Sequence, residues 1–485
     1  MIKDKNRPEP GVVDLADVRE RLQRGRSRTN VSHEELRSEL EEIRALLDQG
    51  LSTEVKTRLT PLISAARHDA SLLAQARCVL SAALEMQGHY RESLEAVQMY
   101  ELPESRAKLD AEATACLRVQ IGLAYNYTGD QPKAIALLNA ALREETENGS
   151  HARLGPIYAA MARVYRSISE FTIARDHSQK ALEHYRETGD WRGLAEAYFG
   201  IAMADTLEGH YEAGLENFEQ ALKLVGENPA PYLLGKIYSN MAGACWFLKR
   251  PQEGIRYLEK AIGYYERTEH KASAALGYNN LGINLILVGE WNRAQAALER
   301  ALSLASEIDE RSAQVPMILD SLGDLSILRG DLEEARDYLD RAVALATDNG
   351  NKWYSGQALR TLGRCYLVMN DPSAALEKGR QALYLAEHIG DRQAICESRL
   401  ILAEASLLSG DLATCAEELP KVADEATDST PDLGITGEAQ RLYGLLAMAN
   451  GDATLAAQHF ARSISIFEML GDRYRGTRAH FELGR

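Results

Sequence analysis

Residues 191–225 read WRGLAEAYFGIAMADTLEGHYEAGLENFEQALKLV. Before Gly209 the apolar residues Leu194, Ala197, Ile201 and Ala204 return every three or four places. After it Tyr211, Leu215, Phe218 and Leu222 do the same. Both runs carry the period of an amphipathic helix, and neither alternates as a strand would. Gly209 stands where one helix must stop and its antiparallel neighbour start, a place that favours a residue without a Cβ. The stretch predicts a helical hairpin.

The same phrase recurs along the chain. Turn residues fall at Gly88, Gly129, Ser169, Gly209, Lys249, Gly289, Gly330, Asn370, Gly410 and Gly451, always 40 or 41 residues apart. A fixed period of this size marks a repeat architecture. Such a unit holds two helices of roughly 14–17 residues, each about 21–25 Å long. Composition agrees: Ala, Leu, Glu and Arg, all strong helix formers, dominate by eye, and there are only 13 prolines in 485 residues.

Small residues recur for a steric reason. With Ala202 as position eight of its unit, that position is Gly122, Ala162, Ala202, Ala242, Gly282, Gly323, Gly363, Ala403 and Gly444. Twelve residues later stand Ala134, Ala174, Gly214, Gly254, Ala294, Ala335, Ala375, Cys415 and Ala456. Minimal side chains at both places let the two helices of a hairpin approach closely. Seven residues further come Ala141, Ala181, Ala221, Ala261, Ala301, Ala342 and Ala382, where the next hairpin presses. Large wedges, including Leu138, Phe218, Leu258, Leu298, Leu339 and Phe460, sit between them.

Small-8, aromatic-11 at Tyr125 and Tyr165, small-20, large-24 and small-27 resembles the tetratricopeptide repeat, and Leu281-Gly282, Leu322-Gly323 and Leu362-Gly363 match its Leu-Gly step. The resemblance covers about residues 75–485. The longer period is similar to that of MalT-like regulators and cell-polarity adaptors. The resemblance implies an all-α, right-handed superhelical solenoid of stacked antiparallel hairpins whose first helices line a concave, partner-binding groove. The extra residues fall in phrases such as Glu187-Thr188-Gly189-Asp190, where they lengthen either the helices or the connection.

The expected organisation follows. Residues 1–30 form a flexible basic tail, with eight basic and five acidic residues. Residues 31–70, a helical pair around Gly50 without the small-residue code, form a degenerate capping hairpin. Residues 71–470 hold about ten repeats, and 471–485 supply the first helix of an incomplete eleventh. Pro420 is expected to interrupt a second helix or loosen its hairpin, whereas Pro316 sits in an early turn that tolerates it. An unpaired last helix suggests one module of a longer chain, or self-association through the open C-terminal end.

Net charge is −16 with a pI near 5.3. Such a chain repels nucleic acid, so no direct nucleic-acid binding is expected of the solenoid. No apolar run approaches the ~20 residues of a membrane span, so no membrane partner is expected. Cys78, Cys116, Cys245, Cys365, Cys396 and Cys415 show no metal or redox spacing, which suits a reducing, cytoplasmic setting. No phosphate loop, dinucleotide fingerprint, zincin motif or nucleophile elbow occurs, so neither catalysis nor a cofactor or metal is expected.

The tetratricopeptide resemblance implies groove positions five, nine and twelve. These carry over to Arg163, Arg166, Trp246, Asn279, Asp320, Asp324, Arg360, Arg364, Glu404 and Arg441, with Asn240 and Asn280 at position six. Asn can pair with a peptide backbone through donor and acceptor, and Arg can fork a carboxylate. The expected function is a non-enzymatic interaction module holding a partner peptide or helix. The alternatives are the sensory part of a bacterial signalling or transcription regulator with an output domain beyond residue 485, and a receptor for a small ligand or signalling peptide.

Overall fold

The computed structural model describes residues 32–484 apart from 149, 227–229, 269, 310–311 and 427–431. The basic segment 1–30 lies outside the described residues. Among those residues the regular structure is helical throughout, and the chain divides into two compact units, residues 1–232 and 233–485.

The first unit holds α1 (His33–Asp48), α2 (Ser52–Ala65), α3 (Ala70–Met86), α4 (Tyr90–Val97), α5 (Pro103–Arg106), α6 (Ala111–Thr128), α7 (Gln131–Asn148), α8 (His151–Ser167), α9 (Phe171–Thr188), α10 (Trp191–Leu207) and α11 (Tyr211–Val225). The division falls at the start of α12 (Pro231–Phe247). The second unit continues with α13 (Pro251–Arg267), α14 (Lys271–Leu287), α15 (Trp291–Ile308), α16 (Gln314–Arg329), α17 (Leu332–Asp348), α18 (Lys352–Val368) and α19 (Pro372–Ile389). It ends with α20 (Arg392–Leu408), α21 (Leu412–Ala426), α22 (Leu433–Ala449), α23 (Ala453–Leu470) and α24 (Arg473–Leu483).

All ten turn residues read from the sequence adopt the left-handed conformation, with φ between 57° and 92°. The demand is geometric rather than glycine-specific, since Ser169, Lys249 and Asn370 accept it at a local cost. At Gly209 the turn closes with Gly209 N–H donating to the Thr206 carbonyl and His210 N–H to that of Asp205. This satisfies carbonyls that the end of α10 would otherwise orphan.

The long period lengthens the helices. α9 runs 18 residues to Thr188, and only Gly189 and Asp190 separate it from α10. Gly189 is left-handed, and the Asp190 carboxylate accepts from the Arg192 and Gly193 N–H groups, capping the next helix.

The wedges meet the position-eight glycines inside one hairpin. A Cβ on Gly282 would stand 2.5 Å from Leu298 Cγ, and one on Gly323 would stand 2.6 Å from Leu339 Cγ. In the α18–α19 hairpin the wedge position is Gly379, and Ile401 and Leu402 of the following hairpin fill the space. The alanines at position 27 are fully buried.

First helices of successive hairpins also touch: α3 on α6, α6 on α8 and α8 on α10 in one unit. In the other, α14 lies on α16, α16 on α18, α18 on α20 and α20 on α22. No comparable packing joins second helices among the described residues, so within each unit the first helices occupy the inner side of the bend.

Two local details depart from the sequence reading. The second helix after Gly88 is short: α4 stops at Val97 and gives way to a 3₁₀ turn, Gln98–Tyr100, and to α5. Pro103 opens α5, and a proline there ends any continuous helix. At Pro420 the expected interruption does not occur. α21 runs through it and buries Leu419 and Val422 in a core with Cys415 and Leu442, which offsets the one missing N–H bond. Residues 427–431 of the following connection lie outside the described residues.

Candidate binding face along the first helices

Position five or nine of one unit repeatedly meets position two of the next. Arg163 Nη2 donates to Glu196 Oε2 at 2.8 Å, from α8 to α10. Arg360 Nε donates to Glu397 Oε2 at 2.9 Å, from α18 to α20. Gln357 Nε2 donates to Asp320 Oδ2 at 3.3 Å, from α18 back to α16. Arg364 pairs with Asp324 at 2.8 Å. Burial opposes the charge on Arg364, and Asp324 and Asp320 outweigh it, holding the guanidinium above its ordinary range. Burial, joined by the charge of Asp324, pushes the Asp320 carboxyl up to about 6, and its buried Oδ1 has no hydrogen bond among the described residues.

At the end of the second unit Arg441 is 0% exposed. Its guanidinium reaches Glu404 at 2.8 Å, Glu438 at 2.6 Å and Glu482 at 2.9 Å. Arg478 closes the cluster against Glu404. These bonds tie α20, α22 and α24 together. Burial opposes ionisation of Glu438, and the Arg441 charge outweighs it, holding that carboxyl below the usual range.

The twelve residues expected in a groove therefore have different occupations. Arg360, Arg364, Asp320, Asp324, Glu404 and Arg441 are engaged with one another or with position-two residues across repeats. Arg441 in particular is a buried tie, closed to any partner, because three carboxylates surround it. Asn279 is buried, and neither amide atom has a hydrogen bond among the described residues. The Asn240 amide donates to the Lys236 carbonyl of its own helix at 2.8 Å.

Trp246 and Asn280 do come together. They line one cavity of about 230 Å³ with Ser239, Ala242, Gly243, Phe247, Leu258, Ile283 and Asn284. Small residues at 239, 242 and 243 open it, and a Cβ on Gly243 would meet nothing within 4 Å. The walls are apolar rings and branched chains, with Ser239, Asn280 and Asn284 as polar points.

In the first unit Arg163 and Arg166 share the C-terminal half of α8. Asp48 meets Arg192, which reaches Glu196 at 3.5 Å, and Glu196 holds Arg163. Glu85 accepts from Gln120 at 2.7 Å and from Ser93 at 3.3 Å, and burial pushes it up to about 7. Sequence reasoning missed Glu196, Gln357, Glu397 and Glu438. Their shared signal was a polar residue at position two, six places before the small residue at position eight.

Residues 153–226, 233–307 and 314–388 match the family described as Tetratricopeptide repeat. These three stretches of the chain are tetratricopeptide repeats. The match is to the tetratricopeptide repeat in general, and the likeness to MalT-like regulators stays a resemblance in period. No curated protein sequence matches the chain. Among solved structures, a Rap protein complexed with Competence and Sporulation Factor aligns with a TM-score of 0.52 at 16% identity, covering 74% of this chain and 98% of that one. The apo form of the quorum sensor NprR from B. thuringiensis aligns at 0.51 and 17% identity, covering 73% and 99%. Both share the tetratricopeptide fold. Among the described residues no helix is long and apolar enough to cross a membrane, and no three His, Cys, Asp or Glu residues gather as metal ligands.

Proposed function

We propose that this tetratricopeptide protein is a non-catalytic interaction scaffold that seats a polypeptide segment along its first helices. The observation that carries the reading is the cavity lined by Trp246, Phe247, Ile283 and Asn280. At about 230 Å³ it is smaller than the roughly 300–1,000 Å³ of a typical small-molecule site, and it suits one side chain of a longer ligand. The fold is the one on which a Rap protein was solved with Competence and Sporulation Factor. The six cysteines are free thiols, which supports a reducing, cytoplasmic setting.

Peptides selected from a random display library against the full chain test this. Gly243→Leu fills the cavity from a position where an added Cβ meets nothing, so the variant should keep its helix content. Selected peptides should bind it about tenfold more weakly or worse, the scale of one buried side chain. Equal binding to both proteins would remove the cavity as the seat.

A further inference from the structure

Two cysteines far apart in the chain come together between neighbouring repeats. With Ser81 and Gly122 as position eight, Cys78 on α3 holds position five of one unit and Cys116 on α6 holds position two of the next. The same two positions meet elsewhere in the stack: Asp320 accepts from Gln357 at 3.3 Å, and Arg360 donates to Glu397 at 2.9 Å. Two ties bracket the cysteines along their helices. Asp110 N–H, at the cap of α6, donates to Ser71 Oγ at 2.9 Å, and Gln120 Nε2 donates to Ser81 Oγ at 3.1 Å. Both join residues 39 apart, so α3 and α6 run in step past the cysteines. The two thiols lie within hydrogen-bonding reach of one another.

The pair is asymmetric. Cys78 is buried, and Cys116 is half-buried against the same apolar core. Arg44 of α1 donates to Gln75 Oε1 at 3.2 Å, one turn before Cys78, so a guanidinium stands beside the pair. Glu112, one turn before Cys116, and Glu85, two turns beyond Cys78, oppose its effect. The hydrogen bond with Cys78 holds the Cys116 thiol below its ordinary range, whereas burial pushes that of Cys78 up. Elsewhere burial pushes Cys365 and Cys415 up to about 11. A thiol that solvent reaches, eased toward its thiolate and set beside a second thiol, has the chemistry of a reactive cysteine rather than of an inert core one.

We propose that Cys78 and Cys116 form an oxidation site at which a peroxide converts the two thiols into a disulfide that staples α3 to α6. The Cys116 thiolate attacks one peroxide oxygen and breaks the O–O bond. It becomes a sulfenic acid and releases hydroxide, which takes up the proton that Cys116 gave away. The Cys78 sulfur then attacks the Cys116 sulfur. The S–S bond forms, the S–O bond breaks, and the departing hydroxyl leaves as water with the Cys78 proton. Two thiols and one peroxide give one disulfide and two waters. The bond joins the first helices of successive hairpins and fixes their spacing, and a thiol reductant reverses it. In a reducing setting such a disulfide is transient and reports oxidant.

The test uses the reduced full chain and a small excess of hydrogen peroxide, followed by unfolding, alkylation and digestion without reductant. The titre of free thiols should fall from six to four. Peptide mapping should show one cross-link, Cys78 to Cys116, lighter by two hydrogens and removed by dithiothreitol. Cys245, Cys365, Cys396 and Cys415 should be recovered alkylated. In Cys78→Ala the sulfenic acid on Cys116 has no thiol to resolve it, so dimedone should label that residue about tenfold more than in the wild type. The wild-type map decides the matter by itself if that variant fails to fold. A titre that stays at six, a cross-link that uses another cysteine or joins two chains, or sulfinic acid at Cys116 without the cross-link would overturn the proposal.

Discussion

Asp320 shows how burial turns a surface-type residue into a pH-dependent one. Its carboxyl lies beside Asp324, accepts from Gln357, and is pushed up to about 6 from an ordinary value of 3.8. A carboxyl raised on folding binds its proton more tightly in the native chain. Its contribution to stability is full below pH 3.8 and is lost as pH rises through 6. Asp320→Asn keeps the shape and removes the titration. The variant should melt like the wild type near pH 4 and be more stable near pH 7.5, by on the order of 2–3 kcal/mol. Melting curves across that range check this, and a gap independent of pH would contradict it. The same residue shows a limit of position codes. Position five was legible as polar, but its partner, Gln357 of the next unit, depends on how two first helices meet.

The last helix, α24, is held as an element by charge. Its apolar anchors are few, Gly476 and Ala479, while Phe481 and Tyr474 are exposed. Glu482 and Arg478 reach instead into the cluster around Arg441. Replacing Arg441 with Met would leave Glu404, Glu438 and Glu482 facing one another with only Arg478 between them. Breaking such a buried set costs about 3–5 kcal/mol. Hydrogen exchange at residues 473–483 should speed up most, while α18 and α19 keep their protection. Uniform loss of protection along the second unit would mean that the cluster holds more than the last helix. Pro420 carries the converse lesson. A single missing N–H yields when the nearby apolar residues Leu419 and Val422 are buried.

Within each unit every hairpin touches mainly its neighbours, so stability is close to a sum of local terms. Ala301 on α15 is fully buried, at the position where the next hairpin presses. Ala301→Trp overpacks that contact and should cost about 1–3 kcal/mol or more. The lost exchange protection should be confined to α14–α17, with the first unit unchanged. Loss of protection in α6–α9 as well would show coupling that near-neighbour contacts do not supply.

Most of the fold was determined by the sequence itself, because its causes are local and steric. A left-handed turn, a wedge against a glycine and an alanine under the next hairpin act within one unit or across one contact. Each therefore leaves a residue of fixed size at a fixed spacing. Lys249 and Asn370 were legible as turns only through that spacing, since neither is a residue the conformation prefers as strongly as glycine. The fate of the polar residues was decided by tertiary structure alone. Arg163, Arg360 and Arg441 look alike in sequence, yet one faces Glu196, one faces Glu397 and one is enclosed by three carboxylates. Charge acts through space and depends on what the neighbouring repeat brings opposite. Which arginine is paired, and with what, is therefore written in the stacking of helices rather than in any one of them.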